Sequence, residues 1–328
     1  MKMQRWPTVG FDIGGTNVRA VLLDEDGQLV GTSRRERPES PDAMVDVTVE
    51  LTHQLADRNG VSVAAVGIGI AGIVDRSGVV YTSPNIPSLK SFPIRQRVAD
   101  VLEIPVVADN DATTATWAEA ATGAGRGYDD VLFAALGTGI GGGFVSDGEI
   151  RRGAFGFSGE IGHMIVDPSG PKCVCGRVGC WERFGSGTAF GQLAREHAAR
   201  GDLPALVERA GSVEAIRGEH LSALVVEGEP GALGVLEIFG EHVAVGLNNL
   251  VNILDPSIVV IGGGLVDIGE PLIEAIRRGY QTVMVDHSVR PPLPIVAAQH
   301  GGRAGAIGAG LLAGLNDQKV DTGRLESQ

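Results

Sequence analysis

The chain has 328 residues, 43% of them apolar and 20% charged, with 49 glycines and a formal net charge of -13. That length suits one large domain or two medium ones with a sizeable core, and the glycines follow no three-residue period, which excludes a collagen-like chain. The acidic balance argues against nucleic acid as a partner, and no apolar run approaches the roughly 20 residues that a membrane span requires.

The opening MKMQRWPTVGFDIGG has no signal-peptide core, because Asp12 interrupts its first apolar stretch. The expected location is therefore the cytoplasm, where thiols stay reduced and clustered cysteines suggest a metal before a disulfide. TVGFDIG, VRAVLLD and QLVGTSR then read as three strands, with GG and DEDG as the turns between them. Residues 42–58 have helical spacing, with Met44, Val47, Leu51 and Leu55 on one side, and Asn59-Gly60 ends the pattern. VAAVGIGIAG is a continuous apolar strand of the kind buried on both faces. Residues 94–102 read as a short helix and IPVVADND as a strand.

The order then begins again. DDVLFAALGTGIGGGFVSDGEIRRG gives three strands separated by GTG and SDG. Helices follow, the clearest over 231–253, then the buried strand of DPSIVVIGGGLV, a helix over 269–278, the strand LPIVAAQ, and a closing helix in RAGAIGAGLLAGL, whose small residues favour close packing. With Thr16 set against Thr138, Asp26-Gly27 falls opposite Asp147-Gly148 with one residue of slip. Two related α/β halves imply a cleft, a favoured place for ligands.

Three places carry the chemistry. In DIGGT, Gly14 and Gly15 let the backbone approach a ligand, Thr16 adds a hydroxyl beside Asn17, and Asp12 can hold Mg²⁺ directly or through water. The matching loop of the second half supplies Thr138 and Gly139, so that two glycine-threonine hairpins can grip a polyphosphate; either turn alone is equally readable as a plain hairpin. Gly262, Gly263 and Gly264 follow a strand, and read either as tight packing or as close approach to a nucleotide base or ribose. Asn110 and Asp111 stand between a strand and a helical stretch, where an Asp is favoured as the anion and also serves as an N-cap. The only cysteines, Cys173, Cys175 and Cys180, sit within eight positions of one another, just after His163.

DIGGT, GTGIGGG, Asn110-Asp111, Glu160-x-x-His163 and C-x-C-x4-C-x-E, in that order from residue 8 to about 315, together resemble the ROK family of bacterial sugar kinases and related transcriptional repressors. The resemblance implies the actin-like (ribonuclease-H-like) ATPase fold, an α/β architecture of two lobes from a duplicated βββαβα unit around a cleft. Residues 1–110 plus 302–316 would form a small lobe, 111–301 a large lobe with a zinc-binding segment over 163–180, and 317–328 a disordered tail. His163 with the three cysteines is a Cys₃His set suited to structural Zn²⁺, with Gly176 and Gly179 permitting the turn that returns Cys180.

The resemblance further implies that Glu160, His163 and Glu182 contact sugar hydroxyls, that Gly72, Asn85 and Asn110 lie near the sugar, and that Asp111 is the general base, ahead of the rival Asp109. ATP with Mg²⁺ is the implied donor, at the 6-hydroxyl of glucose first. Another hexose (mannose, fructose or an N-acetylated hexosamine) or a non-catalytic sugar-binding regulator is the alternative. A repressor would carry a DNA-binding segment before the first strand, which here starts by residue 8. A homodimer or homotetramer is carried over from the family. Asn17 stands where many relatives have Lys, and Thr113 where many have Asn.

Overall fold

The structure, a computed structural model, describes residues 7–285 and 289–315. In chain order its first half holds β1 (Thr8–Ile13), β2 (Asn17–Leu23), β3 (Leu29–Glu36), α1 (Pro41–Asn59), β4 (Ala65–Ile70), the short strands β5 (Ile73–Val74), β6 (Val80–Thr82) and β7 (Lys90–Phe92), α2 (Ile94–Leu102), β8 (Val106–Asn110) and α3 (Asp111–Thr122). The second half holds β9 (Val131–Leu136), β10 (Ile140–Ser146), β11 (Glu149–Ile150), α4 (Glu182–Gly185), α5 (Gly187–Ala199), α6 (Pro204–Ala210), α7 (Gly218–Val226), α8 (Pro230–Leu254), β12 (Ile258–Gly262), α9 (Glu270–Val283), β13 (Ile295–Ala297) and α10 (Ala304–Ala313). No helix among the described residues is long and apolar enough to cross a membrane.

Two compact units result. One gathers residues up to 118, 152–158 and those from 303 on; the other takes 119–151 and 159–302. The division keeps 111–118 and 152–158 with the first unit, whereas the lobe boundaries expected from the sequence place both in the second. The expected tail over 317–328 lies outside the described residues.

In the first unit five strands run in the order β3-β2-β1-β4-β8, antiparallel through β1 and parallel from β1 to β8. β4 is buried at every position, as its unbroken apolar run requires. α1 begins where the Ser40 hydroxyl accepts the Ala43 N–H and stops at Gly60, whose φ of 63° suits a residue without Cβ. α10 lies directly on the sheet. A Cβ on Gly10 would stand 2.0 Å from the Ala306 carbonyl oxygen, and one on Gly67 1.9 Å from that of Ala309. The glycines of the strands and the small residues of the helix thus fit one another backbone to backbone.

The second unit repeats the plan, with strand order β11-β10-β9-β12-β13 and the same pattern of antiparallel and parallel pairs. The internal repeat read from the two glycine turns is therefore a repeat of topology. α8 and α9 cross closely at Gly240 and Gly279, where a Cβ on Gly240 would meet the Ala275 backbone at 2.5 Å. Trp181, fully buried, stacks against Gly246 of α8 and donates its indole N–H to the His242 carbonyl oxygen at 3.3 Å. The residue after Cys180 is thereby rooted in the core.

Candidate active site

β1 and β2 are joined by a tight turn in which the Gly14 N–H donates to the Asn17 carbonyl oxygen at 3.0 Å. Arg37 holds the turn from behind: its Nε donates to the Gly15 carbonyl oxygen at 2.8 Å and its backbone N–H to that of Thr16 at 2.9 Å. Thr16 is exposed at the tip. Asn17, in place of the frequent lysine, donates to the Thr16 hydroxyl at 2.7 Å and accepts from Arg34 Nε at 2.9 Å, so a cation still stands behind this position. Asp12 pairs across the strands with Arg19, whose Nη1 lies 3.2 Å from the carboxylate. Burial raises the Asp12 pKa against the opposing pull of Arg19. Asn85 lies against the same turn, its Cβ 3.4 Å from where a Cβ on Gly15 would be.

The corresponding turn between β9 and β10 closes with the Gly137 N–H on the Gly139 carbonyl oxygen at 3.0 Å. It abuts the start of α5: the Gly187 N–H donates to the Gly137 carbonyl oxygen at 2.7 Å and the Thr188 hydroxyl to that of Thr138 at 2.7 Å. Thr138 is exposed, and a Cβ on Gly139 would stand 2.7 Å from the Glu182 carboxylate. Of the three glycines that end and follow β12, Gly262 is pressed against the Phe133 ring and Gly263, at φ 83°, against the Leu136 backbone, while a Cβ on Gly264 would meet nothing within 4 Å. The first two are accounted for by packing, and Gly264 alone has open space.

Where β8 passes into α3, three adjacent polar residues take three different roles. Asp109 is buried and ion-paired with Arg152; burial pushes its pKa up, and Arg152 opposes that rise. Asn110 caps α3, its Oδ1 accepting the N–H groups of Ala112 at 2.8 Å and Thr113 at 3.1 Å. Its Nδ2 donates to the Gly72 carbonyl oxygen at 3.0 Å. Gly72 must be glycine here, since at φ 138° a Cβ would stand 2.4 Å from the Thr82 carbonyl oxygen. Asp111, half-buried, opens the helix and accepts the Ala112 N–H at 2.9 Å. Thr113 is buried.

The cysteine segment folds on its glycines. The Gly176 N–H donates to the Cys173 carbonyl oxygen at 3.0 Å and the Cys173 N–H to that of Arg177 at 2.8 Å. Gly176 and Gly179 have φ of 87° and 75°, and a Cβ on Gly179 would overlap the Asp167 carbonyl oxygen. One ligand atom from each of His163, Cys173, Cys175 and Cys180 lies within 4.8 Å of the others. Cys175 and Cys180 have their sulfurs 3.5 Å apart, and His163 Nδ1 is 3.7 Å from Cys173 Sγ. Zn²⁺ bonds of about 2.3 Å to sulfur and 2.0 Å to nitrogen set tetrahedral ligand atoms roughly 3.5–3.8 Å apart, so this donor set fits the ion. Burial, with the Glu182 carboxylate accepting the Cys173 S–H at 2.9 Å, pushes that thiol up to about 12. The Arg177 backbone N–H draws the exposed Cys175 down to about 6. His163 turns its other nitrogen toward Glu160, with Nε2 3.9 Å from that carboxylate. Burial is the main cause that raises the Glu160 pKa.

The structure thus brings Asp12, Gly14–Asn17, Gly72, Asn85, Asn110 and Asp111 into the first unit, and Glu160, His163, Glu182 and the cysteines into one cluster of the second. Sequence reasoning missed Arg152, Arg19 and Arg34. No short motif announces them, because each is defined by a partner brought near only by folding.

Two copies of one strand plan, each with a glycine turn between its first two strands, define the actin-like, ribonuclease-H-like class of ATPase folds. Within that class, residues 8–315 match the model of the ROK family, and the chain belongs to it. It is 37% identical to a glucokinase of Streptomyces coelicolor over 310 residues, which is 93% of this chain and 97% of that one. A glucokinase of Thermotoga maritima is 33% identical over 279 residues, 84% of this chain and 87% of its own. Among solved structures, the ROK family glucokinase from Streptomyces griseus in complex with glucose and AMPPNP superposes with a TM-score of 0.82 at 37% identity, covering 94% of this chain and 99% of that chain.

Proposed function

We propose that this chain is an ATP-dependent glucokinase that transfers the γ-phosphoryl group of ATP to the 6-hydroxyl of glucose, with Asp111 as general base. The observation that carries the assignment of the base is the division of labour at the end of β8. Asp109 is buried and neutralised by Arg152, so it is not free to take a proton from a substrate. Asp111 is half-buried at the start of α3, and its neighbour Asn110 is held by Gly72 and by the helix it caps. The donor and the sugar are supported by the Streptomyces griseus relative, whose complex holds AMPPNP and glucose.

In this reading Asp111 takes the proton from the sugar hydroxyl as that oxygen bonds to the γ-phosphorus and the bond to the ADP oxygen breaks. Asn110, Gly72 and Asn85 orient the sugar, and Glu160, His163 and Glu182 bind hydroxyls. Thr16 and Thr138, at the exposed tips of the two glycine turns, hold the donor phosphates with the N–H groups of Gly15, Asn17 and Gly139, while Gly14 closes the first turn and Gly264 leaves room for the nucleoside. Asp12 is suited to hold a hydrated Mg²⁺, which when bound supplies positive charge against the phosphates.

His163, Cys173, Cys175 and Cys180 would hold a structural Zn²⁺, which supplies a cross-link and no open coordination position. His163 Nδ1 faces the sulfurs, which leaves Nε2 for the sugar side. The reading extends to a cytoplasmic homodimer or homotetramer, whose mass light scattering would give.

The test is ADP release from Mg-ATP with glucose, mannose, fructose and N-acetylglucosamine in turn. Release with glucose well above the others is expected. Preference for another hexose would change the substrate and keep the chemistry, and no release with any of them from zinc-loaded protein would refute the kinase reading.

A further inference from the structure

Residues 152–158, RGAFGFS, belong to the first unit, although the chain on both sides of them belongs to the second. The Ser158 N–H closes the segment on the Arg152 carbonyl oxygen at 3.2 Å. Three contacts fasten this strap. Arg152 pairs with Asp109, Arg76 Nε donates to the Gly153 carbonyl oxygen at 3.0 Å, and the Phe157 ring meets Tyr81 edge-on at 5.8 Å. Gly156, at φ 94°, lies so close to β5 that a Cβ would stand 2.8 Å from the Val74 carbonyl oxygen.

The first of these contacts leads to the sugar side of the unit. Asp109 is only 7% exposed, and its other oxygen accepts the backbone N–H of Asn110 at 2.9 Å. Asn110 is the residue that both anchors Gly72 and caps the helix opened by Asp111. The far end of the strap runs directly into Gly159 and Glu160.

We propose that Arg152 is a positioning residue for the sugar: its ion pair with Asp109 sets the end of β8, and with it the direction of Asn110, while pinning the strap that leads to Glu160. The proposal rests on the sugar-binding part of the reading above. It does not need turnover. Without Arg152 the buried Asp109 carboxylate has lost its cation, and either the end of β8 shifts to reach water or the carboxyl takes up a proton. The first outcome moves the backbone N–H and side chain of Asn110, because Asp109 carries that N–H with it. Displacement of a substrate-orienting group by about 1 Å is enough for large losses.

The experiment compares wild type, Arg152→Gln, Arg152→Lys, Asp109→Asn and the double variant Arg152→Gln with Asp109→Asn. Titration calorimetry gives the Kd of whichever of the four hexoses wild type binds best, and also that of AMPPNP. Arg152→Gln should weaken the sugar by about tenfold or more while AMPPNP affinity stays within about twofold. The double variant, which has no buried charge to neutralise, should recover much of the loss, and Arg152→Lys should fall between. A merely structural role would lower the unfolding midpoint without separating sugar from nucleotide. Sugar affinity within about twofold of wild type in a folded Arg152→Gln variant, or single losses that simply add in the double, would overturn the proposal. A wild type that binds a hexose and releases no ADP would defeat the kinase reading and leave this test intact.

Discussion

Gly67→Ala adds a single methyl group where the structure has no room for one. The new Cβ would stand 1.9 Å from the Ala309 carbonyl oxygen and 2.3 Å from its carbon. Ordinary contact needs about 3.5 Å, so α10 or β4 must retreat by roughly 1.5 Å. Neither can do so cheaply. β4 is hydrogen-bonded on both sides, and α10 is buried along nearly its whole length. A shift of that size breaks the facing contact at Gly10 as well, where Ala306 sits equally close. The cost should reach the upper end of the range for overpacking, about 3 kcal/mol. For a chain of 328 residues, at about 2.1 cal/mol/K of unfolding entropy per residue, that lowers the unfolding midpoint by roughly 4 °C. Differential scanning calorimetry at one scan rate, with and without glucose, measures it. A midpoint within about 2 °C of wild type would refute the claim that the strand glycines exist to admit the helix.

Asp111→Asn keeps the oxygen that accepts the Ala112 N–H, so fold and sugar affinity should persist while kcat falls by about 10²–10⁴; a loss under tenfold in stopped-time ADP assays would place the base elsewhere. If the proposed Zn²⁺ site is filled, a chelator or Cys180→Ser should remove one equivalent of metal, read by mass spectrometry, and lower the unfolding midpoint. It should also weaken sugar binding, because Glu160, His163 and Glu182 share that segment; an unchanged sugar Kd in zinc-free protein would separate the metal from the substrate site. Gly234, exposed inside α8, offers the opposite sign from Gly67, because a Cβ added there would meet nothing within 4 Å. Gly234→Ala should therefore stabilise by about 0.8–1.0 kcal/mol in chemical denaturation.

Much of this arrangement is written locally in the chain. Asn59-Gly60 ends α1 because capping chemistry acts over three or four residues, and VAAVGIGIAG declares a buried strand by its apolar run. The repeat is legible because both halves place a glycine turn between their first two strands. What escapes a reading of the sequence is tertiary. β5, β6 and β7 span two or three residues each, too few for a period to show. The boundary between units falls inside α3, where helical spacing is continuous and nothing in the sequence marks the change of neighbours. In the sequence only the family pattern separates Asp109 from Asp111; the physical reason is an arginine 43 positions away in the chain. The three glycines at the end of β12 look alike as Gly-Gly-Gly, yet two are filled by Phe133 and Leu136 and one is open.

The first unit is assembled from three separated stretches, the last of which carries α10. A ribosome delivers these stretches in order. The strands β1 and β4 therefore emerge with the strip around Gly10 and Gly67 uncovered, and the helix that seals it follows only after the whole of the second unit has been made. At about 5–20 residues per second, the roughly 230 residues between β4 and α10 occupy on the order of 10–50 s. Throughout that interval a glycine-lined apolar sheet face waits for its cover, whereas the second unit closes largely from contiguous chain. Nascent chains halted before residue 304 are thus the species that should hold a nascent-chain chaperone longest, and their release should coincide with the appearance of the ten alanine, glycine, isoleucine and leucine residues of α10 at the exit of the tunnel.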